Sequence, residues 1–325
     1  MAALAAVDNH PDYARWAKEL PSLLPWVEEA KASPEGSGVV VAPGSFFTSN
    51  TTGNKVHYRI YEPPSSPPSS PASQHAIYFF HGLNDHANKL SWVRLLEHLA
   101  STLGVKVMAW DMPSHGLSEG RGVKELGPEL LPDAEQFLKL QTQETYSLLS
   151  HSTGGAVCAS LPALAGYKGH YTMAPLLSPP PIAPVVVSVL SCFLFICPCI
   201  CKGTLITPPR KTDTTPWFVF DSEDVYRAEA VEDPICWKGK IPLSTGKFLM
   251  DLAAATSRLE VTGPMKIVHG SADGLVPLEG SKRFAEGKDN VELWEVDSAH
   301  FVISGRSGMA IRDDIVEWTR ARMAE

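Results

Sequence analysis

Residues 145–166, TYSLLSHSTGGAVCASLPALAG, decide the fold of this chain. They open on a short apolar run, TYSLLS (145–150), typical of a buried strand, and continue into a helix of small residues, TGGAVCASLPALAG (153–166). Because parallel strands need crossover connections, a strand followed at once by a helix predicts a unit of a parallel sheet. The junction Ser150–Gly155 then lies at the carboxyl end of a strand, where α/β sheets place their sites.

The same alternation continues along the rest of the chain. AIYFF (76–80) predicts a buried strand, and SWVRLLEHLASTLG (91–104) has helical apolar spacing and ends on a glycine stop signal. Two strands, GSFFTS (44–49) and KVHYRIYEP (55–63), come before the alternation begins. The alternation continues with strands KVMAWDM (106–112), HYTMAPLLS (170–178), MKIVHGSAD (265–273) and VELWEVDSAH (291–300), and helices PDAEQFLKLQ (132–141), 278–287 and 308–323. We therefore predict an α/β fold, a mostly parallel sheet with helices on both faces.

Composition limits the kind of protein. The 325 residues are 44% hydrophobic and 20% charged, as in a globular protein with a core. The net charge of −8 leaves no basic surface for nucleic acid, so we expect no nucleic-acid partner. The start MAALAAVDNH lacks the pattern of a secretory signal. Four of the six cysteines cluster instead of spreading through the chain, which favours a reducing, cytoplasmic location: Cys192, Cys197, Cys199 and Cys201.

The pattern predicts an interrupted domain. The core comprises residues 45–179 and 244–325, and residues 180–243 are predicted to form an inserted cap. Residues 1–44 precede the core as a helical extension, because Trp and Leu residues recur among charges with prolines that limit helix length. The low-complexity tract at 63–74 is predicted to be an exposed loop between two strands.

Ser152 is the candidate nucleophile. In the run Ser150–Gly155 it occupies a sharp strand-to-helix turn, where the following N–H groups face the reacting centre. Gly154 supports this interpretation, since a strained turn brings backbones close together. The neighbouring His151 is predicted to be structural, because such a turn directs adjacent side chains apart. A Ser/Thr helix cap is the alternative explanation of the same residues.

A serine nucleophile needs a base and an orienting acid. His300 and Asp273 each follow a predicted strand, and they come after Ser152 in the order acid, then histidine. Asp297 is a rival acid in the loop that leads to His300. The alternatives are a turn-forming Asp273 before a glycine and a histidine with no chemical role.

The loop after the strand at 76–80 is predicted to complete the site. Its sequence is HGLNDH (81–86), and in this position a loop N–H and the N–H after the nucleophile form an oxyanion hole. We assign these two donors to Leu83 and Thr153. His81 and Gly82 are predicted to shape the loop.

Several short motifs are typical of one family. They are HGLNDH (81–86), DMPSHGLSEG (111–120), DPIC (233–236), GSAD (270–273) and the late His300. Together they resemble the monoacylglycerol lipase branch of the α/β hydrolases over residues 45–323. The resemblance implies a serine hydrolase that acts on lipid esters without a metal or cofactor, with Ser152, Asp273 and His300 as its triad.

The chain departs from the family pattern at three positions. Ser150 and Ser114 stand where the family has glycine, and Asp85 stands where it has glutamate. These differences concern the substrate more than the reaction type. A carboxylesterase, a lysophospholipase or an acyltransferase on the same scaffold stays open, as does a non-catalytic lipid-binding module.

The predicted cap contains a long apolar run. IAPVVVSVLSCFLFICPCI (182–200) has 19 residues without a charge, which is long enough for a membrane span. A single crossing would separate Ser152 from Asp273 and His300 across the bilayer. We therefore expect a cap helix that lines the acyl pocket or dips into one leaflet, so that the protein is peripheral on a membrane. The cysteines lack the paired spacing of a zinc site and stay candidates for acylation.

Overall fold

The computed structural model covers most of the predicted core. The described residues are 40–41, 44–63, 71–120, 126–140, 142–179, 205–206, 233, 235–236 and 241–325. The predicted helices of the extension and the apolar run at 182–200 lie outside the described residues. Of the predicted loop at 63–74, only residues 63 and 71–74 are described.

Strands and helices alternate as predicted through the core. The strands are β1 (Val40–Val41), β2 (Ser45–Thr48), β3 (Lys55–Glu62), β4 (His75–Phe80), β5 (Lys106–Trp110), β6 (Thr145–His151), β7 (Tyr167–Met173), β8 (Leu205–Ile206), β9 (Ile241–Pro242), β10 (Met265–Gly270) and β11 (Val291–Val296). The helices are α1 (Leu90–Leu103), α2 (Leu130–Leu138), α3 (Thr153–Ser160), α4 (Leu243–Thr256), α5 (Leu278–Ala285) and α6 (Gly308–Met323). Helix α1 ends at Gly104, whose φ of 68° stops it as predicted.

The main sheet is mostly parallel, which confirms the predicted α/β class. Its strand order is β1-β3-β5-β4-β6-β7-β10-β11, with β2 paired to β3. Strands β4, β5, β6, β7, β10 and β11 run parallel, and β3 is antiparallel to β5. Because parallel strands share one carboxyl edge, the chain leaves β4, β6, β10 and β11 on the same side of the sheet.

The core lies on both faces of the sheet, and β4 shows why. All six of its residues are buried, and alternate side chains point to opposite faces. Ile77 and Phe79 pack in the cluster that contains Trp92 of α1 and Ile311 of α6. The next residues along the strand, such as Tyr78, pack on the other face with residues of α2, α3 and α4. A continuous apolar strand therefore supports helices on both sides.

Two elements at the boundaries of the core, β1 and α4, were not predicted from the sequence, and neither was the short antiparallel pair β8–β9. Val40–Val41 forms a short strand that pairs antiparallel with Tyr61 and Glu62 of β3. Helix α4 follows the insert directly, and Gly246 lies in its first turn, which weakens its helical pattern. Both elements lie at boundaries of the core, where local sequence signals are weakest.

Candidate active site

Ser152 lies at the junction between β6 and α3. Its φ of 54° and ψ of −119° are strained for a residue other than glycine. The strand ends at His151 and the helix begins at Thr153, so the chain reverses within one residue. Gly154 permits this reversal, because a Cβ on it would lie 2.2 Å from the carbonyl oxygen of Phe80. The junction therefore has the geometry of a nucleophile elbow.

The structure brings Asp273 and His300 together. His300 Nδ1 lies 2.6 Å from Asp273 Oδ2, and both side chains are buried. The other carboxylate oxygen accepts the N–H groups of Leu275 at 2.8 Å and Val276 at 2.9 Å. Burial opposes the charge on Asp273, but His300 and a hydrogen bond from His269 hold the pKa of this carboxyl well below its usual range. The ionised carboxylate assigns the proton of His300 to Nδ1 and leaves Nε2 as its basic nitrogen.

The rival acid Asp297 does not contact His300. Its side chain is 76% exposed, and Oδ2 lies 3.3 Å from Arg306 Nη1. Asp297 follows β11 and Asp273 follows β10 at the same carboxyl edge of the sheet, but only the Asp273 carboxylate is buried against the His300 ring. The structure therefore pairs His300 with Asp273.

His151, which was predicted to be structural, links the elbow to His300. Its Nε2 lies 3.3 Å from the backbone carbonyl of His300, and the two rings are 4.8 Å apart between centroids. Burial, and then the charge of His300, lower the pKa of His151 to about 3. A neutral ring with its proton on Nε2 donates to that carbonyl. The residue before Ser152 therefore contacts the backbone of His300 directly.

The loop after β4 packs directly against Ser152. A Cβ on Gly82 would lie 2.9 Å from Ser152 Cβ and 3.4 Å from its Oγ, so this close approach requires glycine. Leu83 follows Gly82, and Thr153 follows Ser152. The structure therefore brings the two predicted oxyanion donors to segments that flank the elbow.

The ring of His81 fixes the path of this loop. Its Nε2 accepts the N–H of Met112 at 2.9 Å, so Nδ1 carries the proton and donates to the carbonyl of Gly82 at 2.8 Å. Burial lowers the pKa of His81 and keeps the ring neutral, as this pattern requires. His81 thus holds the loop at the residue before Leu83.

Asp85 holds the next part of the loop. Its carboxylate accepts the N–H of His86 at 2.9 Å and the Trp92 indole N–H at 2.8 Å. Lys89 Nζ lies 2.9 Å from the same carboxylate, and both side chains are buried. Burial opposes the charge on Asp85, but Lys89 holds the pKa below its usual range. Sequence reasoning identified this position only as a departure from the family and found none of its partners.

Asp111 joins the loop to two other segments. Its carboxylate accepts the N–H of Ala87 at 2.7 Å and that of Leu117 at 2.8 Å, and it lies 2.9 Å from His57 Nδ1. All three contacts are buried, and hydrogen bonding to His57 helps to lower the pKa of Asp111 against the opposing effect of burial. Sequence reasoning missed His57, because nothing near it in the chain indicates a partner.

Ser150, which replaces the family glycine, has two buried partners. Its Oγ lies 2.6 Å from His170 Nε2 and 2.7 Å from Thr172 Oγ1, both on β7. Burial lowers the pKa of His170 to about 3, so this ring is neutral. The serine hydroxyl is therefore satisfied inside the sheet, two residues before the elbow.

In the described part of the chain, one group of side chains has the donor atoms of a metal site. His86, Asp233 and Cys236 place their ligand atoms within 4.8 Å of one another, and all three are buried. His86 Nε2 lies 2.6 Å from Asp233 Oδ2, while the Asn88 N–H points at Nδ1 at 3.2 Å. Nε2 is therefore the protonated nitrogen, and a protonated nitrogen does not ligate a metal.

Among the described helices, none combines the length and the apolar character that crossing a bilayer requires. The apolar run at 182–200, on which the membrane prediction rests, lies outside the described residues. Membrane contact therefore stays a prediction.

Comparison with known proteins agrees with this geometry. The family described as Serine aminopeptidase, S33, matches residues 71–293. A curated relative, a monoacylglycerol lipase from Mycolicibacterium smegmatis, is 26% identical over 258 residues, which cover 73% of this chain and 85% of the relative.

Two solved structures share the fold. The monoacylglycerol lipase of Paleococcus ferrophilus is 21% identical with a TM-score of 0.66, over 82% of this chain and 99% of that one. A soluble variant of monoglyceride lipase from Saccharomyces cerevisiae, in complex with a substrate analogue, is 17% identical with a TM-score of 0.69, over 89% of this chain and 98% of that one. These comparisons confirm the predicted class, a serine hydrolase of the α/β-hydrolase superfamily that resembles monoacylglycerol lipases. Since the family match covers more than half of the chain, the protein belongs to the family described as Serine aminopeptidase, S33.

Proposed function

We propose that the protein is a carboxylic ester hydrolase that cleaves monoacylglycerols or similar lipid esters with Ser152, His300 and Asp273. The observation that carries this proposal is the 2.6 Å contact between His300 Nδ1 and Asp273 Oδ2, at the sheet edge where Ser152 occupies a strained elbow. The contact leaves the basic nitrogen of His300 for the serine, which a weak nucleophile requires.

Acylation begins when His300 Nε2 takes the proton of Ser152. The Ser152 oxygen attacks the ester carbonyl, and the N–H groups of Leu83 and Thr153 donate to the oxyanion that forms. Asp273 keeps the ring in one tautomer and stabilises its positive charge. His300 then gives the proton to the departing glycerol oxygen, and the acyl group stays on Ser152.

Deacylation repeats these steps with water. His300 removes a proton from the water as its oxygen attacks the acyl carbonyl, and then gives that proton to the Ser152 oxygen as the bond to the acyl group breaks and the fatty acid leaves. Each proton moves between His300 and a reacting oxygen, so these residues carry both half-reactions.

The lipid substrate is inferred from two features. The relatives named above are monoacylglycerol lipases, and the insert carries 19 uncharged residues at 182–200. Long acyl chains reside in membranes, and an apolar segment in the insert would give them a path to the serine. We therefore propose that the insert contacts the surface of a membrane.

Sedimentation with phosphatidylcholine vesicles tests the membrane contact. Aspartates in place of Val187 and Phe195 should weaken binding by about tenfold or more, because a charge in an apolar layer costs about 2.5–3.5 kcal/mol. Met309→Asp is the matched control, since Met309 is apolar and 71% exposed but lies outside the insert. Equal sedimentation of wild type and the double variant would contradict membrane contact.

Fatty-acid release from a 2-monoacylglycerol dispersion tests the function. Ser152→Ala should lower kcat by about 10⁵-fold or more, as loss of a serine nucleophile does. Ser150→Ala is the control, because it removes a nearby serine and leaves the proposed nucleophile in place. Labelling by a fluorophosphonate should require Ser152 in the same way.

The outcomes separate the alternatives. Labelling without fatty-acid release would keep the serine hydrolase and point to a carboxylesterase, a lysophospholipase or an acyltransferase. Neither labelling nor release would favour a non-catalytic lipid-binding module.

A further inference from the structure

His86 and Asp233 form a buried pair outside the proposed triad. His86 Nε2 lies 2.6 Å from Asp233 Oδ2, and the side chains are 0% and 1% exposed. The residues are 147 positions apart in the chain. His86 ends the loop that follows β4, whereas Asp233 belongs to the insert at 180–243. The pair therefore joins the insert to the loop that carries Leu83.

The hydrogen bonds give this pair a single arrangement. The Asn88 N–H points at His86 Nδ1, so His86 donates from Nε2 to Asp233. The other oxygen of Asp233 accepts the N–H groups of Ile235 at 2.9 Å and Cys236 at 3.4 Å. Burial opposes the charge on Asp233, but His86 lowers the pKa of this carboxyl and keeps it ionised. Because it accepts several hydrogen bonds, the Asp233 carboxylate is held in one orientation.

The loop between β4 and α1 is held at both ends. His81 fixes its start, and Asp111 receives the N–H of Ala87 near its end. Between these points, Asn84 turns the chain with a φ of 58°, a left-handed conformation that asparagine adopts more readily than most residues. Leu83 precedes Asn84, so the position of its N–H depends on these contacts. The contacts of His81 and Asp111 join the loop to the core, whereas the contact of His86 joins the loop to the insert.

We infer that Asp233 is a positioning residue, which holds His86 so that the Leu83 N–H meets the developing oxyanion. The inference rests on the proposed function and adds that the insert controls the rate of the chemical step as well as substrate access. Because the oxyanion develops in the transition state and the tetrahedral intermediate and is absent from the bound ester, a displaced donor lowers kcat and leaves KM nearly unchanged.

The test uses p-nitrophenyl butyrate, a soluble ester that needs no membrane contact. Asp233→Ala should lower kcat about 10- to 100-fold, which is less than the 10²–10³-fold cost of removing an oxyanion donor outright. KM should stay within about twofold, and a trifluoromethyl ketone inhibitor should bind more weakly by the same factor as kcat falls. Asp233→Asn should lose about three- to tenfold in kcat and in inhibitor affinity alike, because its carbonyl still accepts the His86 N–H but binds it more weakly than a carboxylate does, and values equal to those of wild type would overturn the inference. A merely structural role would not make inhibitor binding follow kcat.

Controls keep the result specific. Asp297→Ala removes an exposed carboxylate near His300 and should leave kcat unchanged. His86→Ala combined with Asp233→Ala should cost no more than either change alone, since both remove one contact. Thermal melting identifies any variant that fails to fold, and Asp233→Asn then carries the test.

Each remaining outcome is decisive. A wild-type protein that is inactive on this ester and not labelled by fluorophosphonate would remove the proposed function and the inference together. An active wild type matched by Asp233→Ala in kcat and inhibitor affinity would overturn the inference alone. Wild-type activity lost on dialysis against EDTA and restored by Zn²⁺ would overturn it too, by showing a metal ion in place of the hydrogen-bonded pair.

Discussion

Among the buried histidine–aspartate pairs of the described residues, two have the same separation and different ring orientations. His300 and Asp273 are 2.6 Å apart through Nδ1, whereas His86 and Asp233 are 2.6 Å apart through Nε2. In the second pair, the Asn88 N–H faces the other ring nitrogen. Both nitrogens of His86 therefore have partners within the protein, and neither is open to a substrate. Proximity to a carboxylate does not make a histidine a base; the orientation of its ring does.

The orientation follows from where each histidine leaves the sheet. His300 follows β11, and Asp273 follows the neighbouring strand β10, so their pairing is set by two adjacent strand ends. His86 comes from a loop and Asp233 from the insert, so their pairing depends on how the insert returns to the core. One pair is built into the sheet, and the other joins two connecting segments.

Replacing the aspartate by asparagine should lower kcat by very different factors in the two pairs. Asp273→Asn should lower kcat about 10⁴-fold, because the amide N–H favours the wrong tautomer of His300 and removes its basic nitrogen. Asp233→Asn should cost less than about tenfold, since the Asn88 N–H keeps the His86 proton on Nε2. Steady-state hydrolysis of p-nitrophenyl butyrate at pH 7.5 measures both values.

Melting temperatures serve as the control for this pair of variants. Both replace a buried carboxylate by an amide of the same shape, so a difference in kcat without a matching difference in stability isolates the chemistry. Losses of similar size in the two variants would contradict the assignment of His300 as the base.

Much of the fold could be predicted from the sequence. The run at 76–80 and the junction Ser150–Gly155 carry local signals, apolar continuity and small residues at a turn, that survive without tertiary information. The acid and the histidine could be placed because each follows a strand and parallel strands share one carboxyl edge. Asp297 stayed a rival until the structure placed it on the surface.

The contacts that support the site could not be predicted. His57 and Asp111 are 54 residues apart, and His86 and Asp233 are 147 apart, so neither pair leaves a local pattern. The same holds for Ser150, whose partners on β7 depend on the register of two strands. Sequence periodicity reports which face a residue occupies, but it does not report which polar group it meets.

His170 provides a third case, a buried histidine without a carboxylate partner. Its Nε2 meets the hydroxyl of Ser150 at 2.6 Å, and burial lowers its pKa to about 3. No charge compensates a proton on this ring, so the folded state keeps it neutral. An unfolded histidine has a pKa of about 6.5 and gains a proton as the pH falls below that value.

This difference makes the free energy of unfolding depend on pH. Above about pH 6.5 the ring is neutral in both states, and below it the unfolded state binds one more proton, so stability falls as the pH drops toward 3. One such site contributes a slope of about 1.4 kcal/mol per pH unit. His170→Gln can still donate to Ser150 but cannot titrate. Its slope between pH 6 and 4.5 should therefore be smaller by up to about 1.4 kcal/mol per pH unit.

Urea unfolding at several pH values measures this smallest of the effects. His98→Gln is the matched control. His98 lies half-buried on α1, and burial lowers its pKa too. Because less of this ring is buried than of His170, its replacement should change the slope of unfolding free energy against pH much less. The contrast matters because a histidine beside an ionised aspartate should not show the same acid sensitivity, since the carboxylate offsets the proton. If the free energy of unfolding had the same slope against pH in wild type and His170→Gln, His170 would be protonated in the folded state. Its hydrogen bond to Ser150 would then be made by a charged ring.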